Sequence, residues 1–333
     1  MEHLSLYHSE LPPVLRAFSE TPAMRRLSGI GMNCGCEYTS FPRFSRCATY
    51  SRYEHSLGVG LIVWHFTHDQ AQAVSGLLHD ISTPVFAHSV DFLNGDYLTQ
   101  ESTEQDTRAV ILASKELVSV LQQFGLTVDA VCDYHQYPIA DNDTPRLSAD
   151  RLEYTLGNAL NYGFAEWDTV KMLYSDLTVG ENEQGQPELV FRSQNTALLF
   201  AETALACSKV YVSDEDRFSM EALARLLKDA LRRCVICRAD LLTTEAAVIR
   251  KLTADPVSAE AWQRFCRFGR LRISDRPEQT GNWYQVNAKK RYIDPLVLSQ
   301  GRVTELFPAF KADLTAFLSQ PFDRWLSAVA ASD

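Results

Sequence analysis

Positive charge is in short supply in this sequence: 32 lysines and arginines stand against 42 aspartates and glutamates, a formal net charge of -10 over 333 residues. A surface with that average repels phosphate backbones and anionic headgroups, which argues against general nucleic-acid or membrane binding. Long apolar runs are missing as well, and none approaches the ~18 residues of a bilayer span. The start, MEHLSLYHSELPP, has neither the basic region nor the apolar region of a secretory leader, so the expectation is a soluble, unexported, cytoplasmic protein. Cysteine is sparse. The eight present (Cys34, Cys36, Cys47, Cys132, Cys207, Cys234, Cys237 and Cys266) suit buried thiols in a reducing compartment better than a disulfide framework. Repeats and low-complexity stretches are absent, and 46% hydrophobic residues with only 15 glycines and 13 prolines exclude disorder and collagen. A chain of this length buries enough core to fold without a structural metal.

What is present is helical periodicity. Ala73, Val74, Leu77, Leu78 and Ile81 form one apolar stripe. Val110, Ile111, Leu117, Val118, Leu121 and Phe124 form another, closed by Gly125 at a helix C-terminus. A third, with Leu152, Leu156, Ala159 and Leu160, follows Pro145. Later, SMEALARLLKDALRRC opens on a good N-cap at Ser219, and FPAFKADLTAFL is helical again. Strand signals are local: a hairpin in LTVGENEQGQPELVF from Leu177, and an extended, alternating stretch in WYQVNAKKRYIDPLVL from Trp283. The fold class is therefore mainly α, with one or two short β-hairpins. The domain boundary is soft and falls best between Asp168 and Gly185, giving an N-terminal segment over 1–24, a core over 25–175 and a helical extension over 176–333 that packs on it.

Four residues carry the chemistry: His55 in SRYEHSLGVG, the adjacent His79 and Asp80 in SGLLHDI, and Asp150 in LSADRLEYTL. Two imidazoles and two carboxylates make a mixed nitrogen and oxygen set suited to one divalent ion: Mn, Fe, Zn, Ni or, less comfortably, Mg. Between His55 and His79 there is room for one helix, a turn and a second helix, so the two rings can face each other across a helical pair. A His-Asp dipeptide alone is cheap, and a second one, His68-Asp69, lies among polar neighbours and reads as solvated helix surface. His79-Asp80 ends an apolar stripe instead, where it reads equally as a buried hydrogen-bonded pair or as metal ligands.

The flanking sequences tip that balance. SRYEHSLGVG, LLHDISTPVFAHSVD and SADRLEYTL, in this order and spacing, resemble the HD-domain superfamily of metal-dependent phosphohydrolases, and within it the deoxynucleoside triphosphate triphosphohydrolase branch. YVSDEDRFSMEALARLLKDAL and AKKRYIDPLV look like more distal segments of the same branch, so the likeness runs over most of the chain from about Arg25. It implies an HD helical core with a helical C-terminal extension, and metal ligands at His55, His79, Asp80 and Asp150. By the same resemblance Arg52 contacts substrate phosphate, a role its planar bidentate donor suits. Tyr154 would lie near a sugar, and Asn158 stands where relatives carry an aspartate for the sugar hydroxyl.

The departures bear on catalysis. Where the family reads HDxGHGPFSH this chain has HDISTPVFAH, with Thr83 in place of a catalytic histidine; a later "HE" motif is matched only by Thr103-Glu104 in ESTEQ. Two groups that donate a proton or stabilise charge are thus replaced. His88 is the leading remaining acid or base, although that position is often structural in relatives, and His135 and Glu104 are the further candidates. Met32 or Asn33 takes the region of a family glutamine, and about four extra residues lie in FPRFSRCATYSRYEH.

The Cys34/Cys36 and Cys234/Cys237 pairs read as structural thiols and not as a zinc site, the second inside a helical segment. His65 and His68 read as a surface pair. Two basic clusters, Arg264 to Arg276 and Lys289-Lys290-Arg291, read first as solvated or salt-bridged faces; by resemblance they could instead hold a nucleotide effector at a subunit interface of a homo-oligomer. The functional expectation is a metal-dependent phosphohydrolase acting on a small phosphorylated substrate, a dNTP-like nucleotide or another phosphate ester. The alternative is a non-hydrolytic protein that binds metal and nucleotide as a sensor or assembly module.

Overall fold

In the computed structural model, residues 4–95 and 107–330 are described. Three short helices come first: α1 (Leu4–Tyr7), α2 (Pro13–Ser19) and α3 (Pro22–Arg26). The prolines that open α2 and α3 fix φ and give up an N–H that has no helical partner in any case. Next come α4 (Arg52–Thr67) and α5 (Gln70–Leu78), the helical pair expected between the two histidines. A capping box starts α4: Ser51 accepts the N–H of Glu54, whose carboxylate accepts the N–H of Ser51. The dipeptide His68-Asp69 is exposed, as expected, but it makes the corner instead of a helix surface. His68 ends α4 at φ 52 and Asp69 caps α5 by accepting the N–H of Gln72.

After α6 (His88–Asn94), the single stripe read from Val110 to Phe124 is in fact two helices, α7 (Thr107–Ala113) and α8 (Lys115–Phe124). Ser114 interrupts it, because its hydroxyl accepts the N–H of Leu117 and caps α8. Gly125 closes α8 with φ 65, the left-handed geometry expected of it. Then follow α9 (Ala149–Asn161), α10 (Trp167–Ser175) and the hairpin of β1 (Leu177–Glu181) and β2 (Pro187–Phe191). Two long helices come next, α11 (Gln194–Tyr211) and α12 (Asp214–Arg232). The cap of α12 is Ser213, so Ser219 is buried inside the helix and does not start it. Cys234 and Cys237 lie beyond the end of α12 and are exposed, whereas Cys34, Cys36 and Cys207 are buried.

The rest is α13 (Glu245–Ala254), α14 (Pro256–Cys266), β3 (Phe268–Ser274), β4 (Leu296–Val297), β5 (Gly301–Arg302), α15 (Val303–Leu306), α16 (Pro308–Ser319) and β6 (Trp325–Ala330). One sheet runs β1-β2-β4-β5, and β3 pairs antiparallel with β6. The alternating stretch from Trp283 contributes little to either: Tyr284 bridges Leu326, and only Leu296–Val297 joins a sheet. Its backbone runs extended without a ladder partner over most of its length.

The largest apolar cluster draws on residues from Leu4 to Phe317, with α4 packed on α5 and α9 and α11 packed on α9. A second cluster joins Phe86 and Val90 to Leu223, Leu227, Trp262 and Phe265. Among the described residues no helix is long and apolar enough to cross a membrane.

Arg302 ties the small sheet to the core. Its guanidinium grips the fully buried Glu188 of β2 through two bonds of 2.7 and 2.8 Å and reaches Glu183 at 2.7 and 2.8 Å. Glu188 also accepts the N–H of Leu147. Removing the cation strands a buried carboxylate, which is far costlier than never having buried the pair. Arg302→Met is expected to lower unfolding free energy by about 3–5 kcal/mol in urea titrations, and adding Glu188→Gln should recover part of the loss. A cost indistinguishable from that of an exposed arginine would contradict this account.

Candidate metal centre and its cavity

The sequence places His55 on the first turn of α4, and the capping box at Ser51 fixes where that turn begins. His79 is the C-cap of α5, with Asp80 in the turn beyond it. Asp150 sits on the first turn of α9. The three elements bring the four side chains together. His55 Nε2 lies 3.1 Å from His79 Nε2 and 3.0 Å from Asp150 Oδ1, and His79 Nε2 lies 3.6 Å from both Asp80 Oδ2 and Asp150 Oδ1. His55, His79 and Asp80 each offer a donor atom within 4.8 Å of the others, and all three are buried.

The far nitrogen of each ring shows what the near one can do. His79 Nδ1 lies 2.7 Å from the carbonyl of Gly76, which can only accept, so Nδ1 carries the proton and Nε2 a lone pair. His55 Nδ1 lies 2.6 Å from Glu153 Oε2. Two lone pairs 3.1 Å apart repel unless a cation or a proton lies between them. Burial alone would lower the pKa of His55, but its hydrogen bonds to Asp150 and Glu153 raise it to about 10. Burial likewise opposes ionisation of Asp80, yet Arg52, His79 and His55 hold it well below the usual carboxylate range. A set of imidazole nitrogens with fixed tautomers beside ionised carboxylates is the donor chemistry of a divalent ion.

Glu153 is the functional residue that sequence reading missed. It is fully buried one helical turn from Asp150 on the same face of α9. Tyr50 and Tyr7 donate to it from outside α9. Gly58 and Gly157 make the space, since a Cβ at Gly58 would stand 2.6 Å from the Glu153 side chain and one at Gly157 would stand 2.5 Å from the Tyr50 hydroxyl. The i,i+3 spacing of Asp150 and Glu153, with a glycine three residues after His55, was the available signal.

Arg52 is buried and donates to Asp80 Oδ2 at 2.9 Å, while its Nε has no protein partner. Thr83 donates to Asp80 Oδ1 at 2.7 Å, so the residue that replaces a family histidine holds the carboxylate instead of facing it with a second base. His88 Nδ1 bonds the buried Asp91 at 2.9 Å, and its Nε2 meets Arg291 at 3.3 Å. An arginine can only donate, which fixes Nε2 as the acceptor and Nδ1–H as the donor to Asp91. Burial, and then the charges of Arg291 and Arg52, lower the pKa of His88 despite the bond to Asp91.

A cavity opens on this cluster. Arg52, Thr83 and His88 line it together with Met32 and Asn33, as do Tyr154, which packs on His55, and Asn158, Tyr162 and Tyr211. About 130 Å³ of it admits the centre of a water molecule, roughly ten times what one water needs, so a small molecule fits. Asn158 donates to the Tyr211 hydroxyl at 2.9 Å, and its Oδ1 is left without a protein partner. His135 does not line this cavity. It sits half-exposed in a neighbouring one, paired with Asp133 at 3.0 Å. Glu104 and Thr103 lie outside the described residues. His65 is exposed beside His8 and Tyr174. The cluster from Arg264 to Arg276 lies away from the cavity, with Arg272 bonded to Glu278 and packed on Trp283, as a salt-bridged face would be.

No family model matches the chain. It is 27% identical over 242 residues, 72% of its length and 71% of the relative's, to an uncharacterized protein, YdhJ, of Bacillus subtilis. It is also 27% identical over 220 residues to the metal-dependent phosphohydrolase cns2 of Cordyceps militaris, covering 65% of this chain and 60% of that one. Among solved structures, a hypothetical protein from Aquifex aeolicus superposes with a TM-score of 0.64 at 19% identity, covering 96% of this chain and 93% of the other. A phosphohydrolase from Bacteroides thetaiotaomicron superposes with a TM-score of 0.61 at 14% identity, covering 97% of each chain. The structural likeness is one of fold. With the phosphohydrolase relative and the buried His-His-Asp cluster, it supports an HD-type phosphohydrolase family and a divalent metal.

Glu153→Gln keeps the shape of the group behind His55 and removes its charge. Partners in this position typically govern metal affinity by 10–100-fold. Titration with Mn²⁺ is expected to show a loss of about that size with an unchanged far-ultraviolet dichroism spectrum, and affinity equal to that of the wild type would contradict the role given to Glu153.

Proposed function

We propose that the chain is a metal-dependent phosphohydrolase of a small phosphate ester, with a nucleotide as the leading substrate class. The observation that carries this is the convergence of four donor groups, two with tautomers fixed from behind, on a cavity that also presents Arg52. His55, His79, Asp80 and Asp150 would hold the ion. When bound, a divalent ion polarises a phosphoryl oxygen and makes a nearby water a stronger acid.

The remaining work falls to the chain's own residues. Arg52, held against Asp80, places a cation whose Nε is unspent at the cluster, where it orients a phosphate. His88, its Nδ1–H bonded to Asp91, turns Nε2 as an acceptor toward Arg291, so this is the atom that would take up a proton from the attacking water and return it to the leaving oxygen. Asp91 holds the ring in that tautomer. Tyr154, packed on His55 with ring centres 6.5 Å apart, and Asn158, with its unpaired Oδ1, support a sugar in the cavity. His135 stands at the rim of the adjoining cavity and has no comparable place in this scheme.

One observation favours the non-hydrolytic alternative: Thr83 is committed to Asp80, which leaves one fewer group to stabilise the leaving phosphate. The same experiment separates the two. Purified protein is assayed for metal content and for release of phosphate, pyrophosphate and triphosphate from nucleotides and phosphate monoesters. Hydrolysis is expected to follow metal content, and both Asp80→Ala and Asp80→Asn should lose bound metal and at least about a hundredfold in turnover. Full turnover by a metal-free variant would end the hydrolase proposal, and bound metal with bound nucleotide but no turnover would favour the sensor.

A further inference from the structure

The stretch around Lys289-Lys290-Arg291 reaches the cavity from the C-terminal part of the chain, between β3 and β4, far in sequence from every residue of the cluster. The stretch belongs to no helix or strand, and its side chains divide between two places. Lys290 points away and donates to the carbonyls of Leu318 and Gln320 at the end of α16, which pins the strap to the fold. Lys289 and Arg291 point the other way, and both line the cavity of the metal cluster. All three basic residues also line the adjoining cavity, together with Asp141 and Arg151, which are paired with each other at 3.0 Å.

The charges at the cavity make the case. Three cations, Arg52, Lys289 and Arg291, face the carboxylates of Asp80 and Asp150. A third carboxyl, Asp216, lies on the wall, where burial raises its pKa well above the usual range. With a divalent ion bound, the three cations and its two charges outweigh the three carboxyls of the lining even with all of them ionised. A chain of net charge -10 concentrates positive potential here. Such a field favours a phosphate that carries two or more charges over a phosphodiester that carries one.

We propose that Lys289 and Arg291, with Arg52, form an anion cradle over the metal cluster that selects substrates ending in a phosphate dianion, as monoesters and polyphosphates do, over phosphodiesters. The cradle deepens the phosphohydrolase reading and rests on it for the reaction, but its binding role stands by itself. Arg291 has a second contact, His88, and so links recognition of the phosphate to the residue that handles the proton.

The test is equilibrium binding of inorganic phosphate, phenyl phosphate and diphenyl phosphate to metal-loaded protein by calorimetry. Arg291→Gln and Lys289→Gln are each expected to weaken binding of the two dianions about tenfold or more, to change diphenyl phosphate binding much less, and to leave metal content as it is. Arg291→Lys should restore part of the loss. Arg276→Gln removes one positive charge from the exposed face far from the cavity and should change nothing. Variants that bind phosphate as the wild type does, or a wild type that prefers the diester, would overturn the cradle. Because the readout is binding, a protein that hydrolyses no ester yet shows these losses would retain the cradle and lose the hydrolase proposal.

Discussion

Glu153 is wholly removed from water between α4 and α9, and a carboxylate in that position is tolerable only if donors replace the water it has lost. Three do so: the Nδ1–H of His55 and the hydroxyls of Tyr50 and Tyr7. Much of the molecule follows from satisfying that one group. Gly58 and Gly157 keep the helices close enough for the carboxylate to reach the ring. Tyr7 brings the first helix of the chain onto the centre, and Tyr174 of α10 donates to the carbonyl of Tyr7 and holds it there. A segment that reads as a separate N-terminal piece is therefore part of what supports the candidate metal site. The tautomer of His55, on which any metal binding depends, is fixed by packing that begins at the chain's start.

Sequence periodicity revealed α5, α9 and α16, each of which turns apolar residues into the core. Helix α4, the partner of α5, is buried along most of its length between α5 and α9 and was expected only from the space between His55 and His79. Periodicity failed where a polar residue competes with the helix for its own backbone. Ser114 splits one stripe into two helices, and the hydroxyl of Ser213, not that of Ser219, starts α12. It failed again from Trp283 onward, where alternation is real but expresses two-sided contacts of an unpaired strap and not a sheet ladder. The four clustered donors could be read because their residue types are few and their flanks distinctive. Glu153 could not be singled out, since a glutamate on a helix is ordinarily solvated and only the fold shows the three donors around it. Lys289 and Arg291 were hidden for the related reason that a basic run is usually surface, and their placement depends on a crossing that no local pattern encodes.

Asp80 has a second set of constraints that runs parallel to those on His55. Arg52 takes one of its oxygens and Thr83 the other. The arginine counters the desolvation that would otherwise protonate the carboxylate, and the threonine fixes its orientation. A histidine at position 83 would offer a titratable ring. The hydroxyl offers only a hydrogen bond, so in the proposed mechanism proton handling falls to the start of α6, where His88 is held by Asp91. On that reading the two positions are tied to the same few ångströms of structure.

Those ångströms also reconcile the overall charge with the ligand proposed. An acidic surface repels phosphates on average, which keeps nucleic acid and other polyanions from accumulating on it. The repulsion is long-ranged only until salt screens it, over about 8–10 Å at physiological ionic strength. Inside a cavity walled by apolar and aromatic side chains the screening is weaker, and the local cations dominate what a small anion feels once it is within the mouth. In the proposed cradle, discrimination comes from the number of charges that the anion brings and not from its size. The same arrangement explains why the cations come from opposite ends of the chain: Arg52 is spent partly on Asp80, so a field strong enough for a dianion has to be completed from the C-terminal strap, and the site exists only once the whole chain has folded around it.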